Sequence, residues 1–112
     1  MDDHNLDDEV MNQRVDLPEA VRGLYFALRL LPDGRIIGIH RLLFHWALHI
    51  DVHEDGYEDR YCYDGLGDAI EGFLHWTGQG DPPGGWRQHP RTRRRRDPVT
   101  GKITSADELA PA

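Results

Sequence analysis

From Gly56 to Trp86 the chain reads GYEDRYCYDGLGDAIEGFLHWTGQGDPPGGW, which is a strand pattern, an amphipathic helix and a glycine-proline loop in unbroken succession. Tyr57 to Tyr63 is rich in aromatics that suit a half-buried strand. Leu66, Ala69, Ile70, Phe73 and Leu74 fall at the spacing of one helical face. Asp64 stands where its carboxylate can accept hydrogen bonds from the first helical turn, so it is the expected N-cap, and Gly78 can end the helix. Gly67 and Gly72 each cost a helix interior roughly 1 kcal/mol relative to alanine. Packing on a sheet must offset that cost, and both residues can also allow the sheet close approach.

The apolar residues are concentrated around this segment. Of the 56 residues from Val21 to Trp76, 29 belong to the set AVILMFWYC, against 14 in the remaining 56. A chain of 112 residues is long enough for one small domain. Expected boundaries are an acidic mobile arm at residues 1–20, one domain at 21–90, and a largely disordered arginine-rich tail at 91–112.

Within the domain, Leu24, Phe26, Leu28 and Leu30 alternate with Tyr25, Ala27 and Arg29, the period of a strand with one buried face. Pro32-Asp33-Gly34 supplies a turn. The return strand starts at Arg35 and contains Ile36, Ile37 and Ile39, with Gly38 marking a bulge or break. Leu42, Phe44, Trp46, Leu48, Ile50 and Val52 then occupy successive even positions. As one strand they would span roughly 36 Å at about 3.3 Å per residue. A helix competes over this stretch, since Leu42, Leu43, Trp46 and Ile50 also fit a helical stripe, but the alternation favours the strand. After the turn Glu54-Asp55-Gly56, the strand from Tyr57 to Tyr63 is expected to pair with the first, and Trp86-Arg87-Gln88-His89 to add a short edge strand. The predicted class is α+β, a three- to four-stranded antiparallel sheet with one helix packed on one face.

Charge is divided along the chain. Seven carboxylates oppose Arg14 alone up to Ala20, and nine oppose Arg60 alone from Asp51 to Asp81, whereas Pro82 to Thr104 carries seven basic groups against Asp97. Such asymmetry points to charged partners or self-association. Twelve arginines accompany a single lysine; GC-rich codon usage accounts for this ratio as readily as a need for bidentate donors. The opening stretch lacks the apolar run of a signal peptide or membrane helix. Cys62 is alone, which excludes an intrachain disulfide and fits a reducing, cytoplasmic location with no membrane association.

The chemistry-bearing residues do not assemble into a known reaction motif. His45, His49 and His53 are four apart, a spacing that would gather imidazoles on a helix, but in a strand neighbouring members lie on the order of 13 Å apart. Asp59, Asp64, Asp68 and Glu71 suit capping and a solvated helix face better than an acid-base pair, and Cys62 has only Arg60 near it in sequence. No catalytic residue, metal ligand set or cofactor is predicted.

GYEDRYCY, the helix that follows it, WTGQGDPPGGW and the trailing RTRRRRDP together resemble small uncharacterised bacterial proteins of prophages, plasmids and other mobile elements, over roughly Ala47 to Arg96. The resemblance carries over no catalytic residue. It implies a setting in which short accessory proteins act by binding host or phage machinery. The leading expectation is a non-enzymatic interaction protein, such as an anti-CRISPR type of inhibitor of a host defence complex. Asp51, Glu54, Asp55, Glu58 and Asp59 would act as phosphate substitutes against the basic surface of a nucleic-acid-handling complex. The alternative is a nucleic-acid-binding accessory protein that holds phosphates through Arg91, Arg93, Arg94, Arg95 and Arg96. A third arrangement is a homodimer that buries Leu43, Ala47 and Tyr25 of the sheet face left open by the helix.

Overall fold

A computed structural model describes residues 15–97 and 99–105. The expectations for the arm before Val15 and for the end of the tail after Ser105 lie outside the described residues. In chain order the elements are α1 (Glu19–Arg22), β1 (Ala27–Leu30), β2 (Ile36–Arg41), β3 (Trp46–Ile50), β4 (Asp59–Tyr63), α2 (Leu66–His75), β5 (Gln88–His89), β6 (Arg94–Arg96) and β7 (Ile103–Thr104).

All seven strands form one antiparallel sheet in the order in which they occur along the chain. The expected sheet of three to four strands is therefore overturned. The added strands come from the segment after the helix, including the arginine run. That run lacks the apolar alternation by which strands are recognised, because its partners are other strand backbones and an aspartate rather than a core. β5 is also not an edge, since it lies between β4 and β6. β4 pairs with β3 and not with β1, Leu48 facing Tyr61 in register.

The β1–β2 hairpin follows from its turn chemistry. Gly34 takes φ +95°, which a side chain would resist. Leu31 N–H donates to the Arg35 carbonyl at 2.8 Å, and the Asp33 carboxylate accepts from Arg35 N–H at 2.9 Å. Gly38 is neither bulge nor break, being paired in regular register with Leu28 and His49. It is small because the Tyr25 ring lies over it; a Cβ there would come within 2.5 Å of that ring.

The eleven-residue strand suggested by alternation is shortened to β3, and its first four residues form a reversal instead. β2 ends at Arg41, whose partner is Trp46, and Leu42 N–H donates to the His45 carbonyl at 2.8 Å to close a four-residue reversal. Leu43 and Phe44 are each 85% exposed at its tip. No glycine or proline marks this turn; the antiparallel pairing of β2 with β3 demands it.

One face of the sheet is covered by α2. Ala27, Ile37, Ile39, Leu48, Ile50, Tyr61 and Tyr63 pack with Ala69 and Phe73 of the helix and with Trp76 and Trp86 of the loop after it. Truncating a residue such as Phe73, which is fully buried, typically costs about 3–5 kcal/mol. Both helix ends depart from the expected caps. Gly65 is the N-cap, without a side-chain bond, and the Asp64 carboxylate instead accepts from Arg87 at 2.6 Å. The helix stops at His75 rather than at Gly78. There the guanidinium of Arg29, from β1, donates to the carbonyls of Phe73 and Trp76, placing a cation where the helix leaves its last acceptors unpaired.

The two helix glycines differ. Gly67 faces open space, whereas a Cβ on Gly72 would overlap Tyr63 Oη and lie 2.8 Å from the Pro83 carbonyl oxygen. Gly72→Ala is therefore expected to destabilise the protein by about 1–3 kcal/mol through overpacking. Gly67→Ala should stabilise it by about 0.5–1 kcal/mol by lowering the entropy of the unfolded chain. Urea unfolding of the two variants should give shifts of opposite sign, and a shift of the same sign for both would contradict this packing of α2 on β4.

Candidate functional site

Three polar clusters stand out once the core is set aside. The first joins the C-terminal strands to the body. Tyr61, from β4, donates through its hydroxyl to Asp81 at 2.6 Å, and Arg94, from β6, grips the same carboxylate with two nitrogens at 2.8 and 2.7 Å. The Arg94 guanidinium also lies 5.3 Å from the Trp86 ring centre. These contacts shift the groups in opposite directions. The Arg94 hydrogen bonds hold Asp81 down at about 2, the Asp81 carboxylate in turn raises Arg94, and burial, followed by Asp81, pushes the Tyr61 phenol up.

His89 completes this cluster. Its ring stacks on Tyr61 at 4.2 Å and 8°, and its Nε2 lies 2.8 Å from both oxygens of Asp59. A carboxylate only accepts and a guanidinium only donates, so Nε2 carries the proton and Nδ1 accepts. Nδ1 takes the Thr92 hydroxyl at 2.6 Å and Arg94 at 3.0 Å. Arg94 and Asp59 are thus structural partners here, although the sequence reading assigned them to rival partner-binding surfaces.

The acidic set is dispersed by this arrangement. Asp59 is engaged by His89, and Glu58 accepts from His53 at 2.7 Å. Asp51 is half-buried with φ +60°, at the point where β3 turns away. Glu54 and Asp55 are exposed in the turn closed by the His53–Gly56 bridge. Asp51, Glu58 and Asp59 share the lining of a cleft of about 200 Å³ with Arg35, Tyr61, Trp76 and Arg91, so acids and a member of the arginine set meet in one place.

The second cluster is basic. Arg87, Arg95, Arg96 and Lys102 line a groove of about 260 Å³ together with Asp97 and Thr104. Asp97 is occupied by its own turn: its carboxylate accepts from the backbone N–H groups of Val99 at 2.8 Å and Thr100 at 3.0 Å, and these bonds hold its pKa below the usual range. Arg95 and Lys102 are exposed, Arg96 is half-buried, and the buried Nε of Arg87 has no partner among the described residues. Arg93 is exposed with φ +58° in the β5–β6 turn. Of the predicted arginines, the structure brings Arg95 and Arg96 together, ties Arg94 to Asp81, and leaves Arg91 in the cleft.

The third cluster was not apparent from sequence. On the face opposite α2, His49 is 5% exposed. Tyr57 stacks on it at 3.7 Å, His40 at 5.1 Å, and Tyr25 meets it edge-on with the hydroxyl 2.9 Å from Nδ1. Burial, then His40 and Arg60, lowers His49 to about 4, and burial with Tyr57 raises Tyr25 to about 12. His45 sits in the β2–β3 reversal and His53 pairs with Glu58. The three histidines spaced four apart therefore have separate surroundings, and no group of three metal-ligating side chains occurs among the described residues. On the same face Ala47 is fully buried, Tyr25 half-buried, and Leu43 exposed in the reversal. Burial raises the Cys62 thiol against the opposing pull of Arg60. No described helix is long and apolar enough to cross a membrane.

No protein-family model, curated protein or solved structure matches the chain. Its own side chains are the basis for a functional reading.

The His49 environment sets a pH dependence. A histidine whose folded pKa is depressed favours the neutral form on folding, so its contribution is complete above about pH 6.5 and erodes as pH falls toward about 4. The loss is expected to reach about 2–3 kcal/mol for so buried a ring. The low-lying carboxylates Asp33, Asp81 and Asp97 act mostly below this window. Urea unfolding at about pH 7.5 and about pH 4.5 should show the loss in the parent protein and a clearly smaller one in His49→Phe; equal losses in both would remove His49 as the cause.

Proposed function

We propose that this is a nucleic-acid-binding accessory protein that holds phosphates in the groove of the β5–β7 ribbon. The observation that carries this reading is the convergence of Arg95, Arg96 and Lys102 on one groove, beside an Arg87 already paired with Asp64, whose single lining carboxylate, Asp97, is turned to its own backbone. Arginine forks suit bidentate phosphate contact. The Arg94–Asp81 clasp holds the ribbon to the body, so less ordering entropy opposes binding than a mobile tail would lose. The setting proposed is a phage or mobile element, from the resemblance of the Ala47–Arg96 region. The location is the cytoplasm, where the lone Cys62 stays reduced, and the role is non-enzymatic.

A second reading has support from one feature. Glu54 and Asp55 are exposed at the tip of the β3–β4 turn, where they can meet a basic protein surface. An acidic interaction protein, including an inhibitor of a host defence complex, would use that tip. The engagement of Asp59 and Glu58 within the chain makes it the weaker reading.

Fluorescence anisotropy with a labelled DNA duplex separates the two. Neutralising about three to four phosphates predicts that affinity falls by roughly 40- to 150-fold between about 50 and about 200 mM salt. Arg95→Ala and Lys102→Ala should each lower the salt slope by about one, while reversing Glu54 and Asp55 to lysine should leave binding intact or strengthen it. Absence of binding at the lower salt, or a slope unchanged in both alanine variants, would refute the groove as a phosphate site.

A further inference from the structure

The turn between β5 and β6 holds a threonine hydroxyl in the geometry of a nucleophile. His89 ends β5, and Thr92 lies three positions on, in the reversal that the Arg93 N–H closes on the Pro90 carbonyl at 3.1 Å. Thr92 is exposed there, while His89 is buried. The Thr92 hydroxyl donates to His89 Nδ1 at 2.6 Å, and on the other side of the ring Nε2 donates to Asp59 at 2.8 Å. Tyr61, stacked on the imidazole, fixes its plane. The order is hydroxyl, imidazole, carboxylate, in which the carboxylate sets the tautomer and the imidazole can take the hydroxyl proton. Anchoring the ribbon requires only Asp59, Tyr61 and the Arg94–Asp81 clasp; Thr92, whose exposed hydroxyl water would satisfy, adds little to it.

A fourth group faces the reacting oxygen. Arg94 Nε donates to Thr92 Oγ1 at 2.8 Å, so negative charge that develops there as the proton leaves meets a guanidinium. A hydroxyl oxygen has two lone pairs, and one is left for attack. Arg94 Nη2, 3.0 Å from Nδ1, opposes a charge on the imidazole, and the carboxylates of Asp59 on the ring and Asp81 on the guanidinium offset it. We propose that Thr92 is an acylation site whose hydroxyl takes the acyl group of an acyl phosphate. Thr92 Oγ1 bonds to the carbonyl carbon and its proton passes to His89 Nδ1. The bond from that carbon to the phosphate oxygen then breaks, and phosphate leaves with the proton as hydrogen phosphate. Arg91 and Arg93, exposed on either side of Thr92 in sequence, favour a donor with an anionic leaving group. The product is the acylated chain itself, so the inference adds a modification site to the accessory-protein reading and does not rest on the phosphate groove.

The test is incubation of the full chain with acetyl phosphate at neutral pH, the modified positions and their rates being read by peptide mass spectrometry. A positioned general base contributes on the order of 100-fold or more, so Thr92 should gain an acetyl group about 100-fold faster than Thr100 of the same chain and than Thr92 itself in urea-unfolded protein. Thr92→Ser should keep the acetyl group at position 92. His89→Gln retains a donor for Asp59 without a base, and should slow Thr92 to the rate of Thr100. If His89→Gln unfolds, the two comparisons within the parent chain decide alone. The inference is overturned if native Thr92 reacts no faster than Thr100, if unfolding in urea leaves its rate unchanged, if folded His89→Gln is acetylated like the parent, or if Thr92 gains a phosphoryl group in place of the acetyl.

Discussion

The carboxylate of Asp81 receives the Tyr61 hydroxyl from β4 and both ends of the Arg94 fork from β6, and the seven-stranded form of the sheet depends on that junction. Strands of two or three residues such as β5, β6 and β7 form few backbone hydrogen bonds. A two-stranded ribbon of that size is marginal in water by itself. Side-chain anchoring makes up the difference: Arg94 lies against Trp86, His89 stacks on Tyr61, and Asp59 fixes the imidazole proton on Nε2. Charge-assisted bonds of this kind are roughly twice as strong as neutral ones. Because several share members, their contributions are not separable by single deletions. The junction also orders the segment that presents Arg95, Arg96 and Lys102.

The body to which this ribbon is attached is held by a different force. α2 lies on the sheet through Ala69, Gly72 and Phe73, and the close approach at Gly72 lets Tyr63 reach across to the Pro83 carbonyl at 2.8 Å. Apolar burial supplies the main stabilisation there, while Arg29 satisfies the last carbonyls of the helix from the sheet side. The opposite face is polar and aromatic in character. His49, buried between Tyr57 and the His40–Tyr25 pair, gives that face a stability that weakens in mild acid. The two faces therefore respond to different conditions, one chiefly through hydrophobic burial and the other through the protonation of an imidazole.

Legibility varied with the kind of signal each element carries. The β1–β2 hairpin and α2 were readable because their information is local: Pro32-Asp33-Gly34 specifies a turn, and the spacing from Leu66 to Leu74 specifies a helical face. The reversal at Leu42–His45 was hidden because its residues continue the alternation of the strand after it and include no turn former. The capping role expected of Asp64 failed because Arg87, 23 positions away, engages the carboxylate. The strands within the arginine run had no readable signal at all, since charged side chains at alternate positions look alike whether solvated or paired. The same holds for the acidic set, whose members were legible as charges but not as partners of His53 and His89.

The sequence by itself determined the apolar middle, the helix and its buried stripe, the first hairpin, and the division of charge between an acidic body and a basic end. Those properties follow from side-chain chemistry repeated at short spacing. Only the tertiary structure decided which charges are spent inside the molecule and which face outward. Asp59 is bound to a histidine 30 positions later and Asp81 to an arginine 13 positions later, and no short-range pattern encodes such pairings. What is left at the surface after them, such as the basic groove lined by Arg95, Arg96 and Lys102, is a product of chain reversal and strand register, which bring distant residues together by backbone pairing rather than by their own identities.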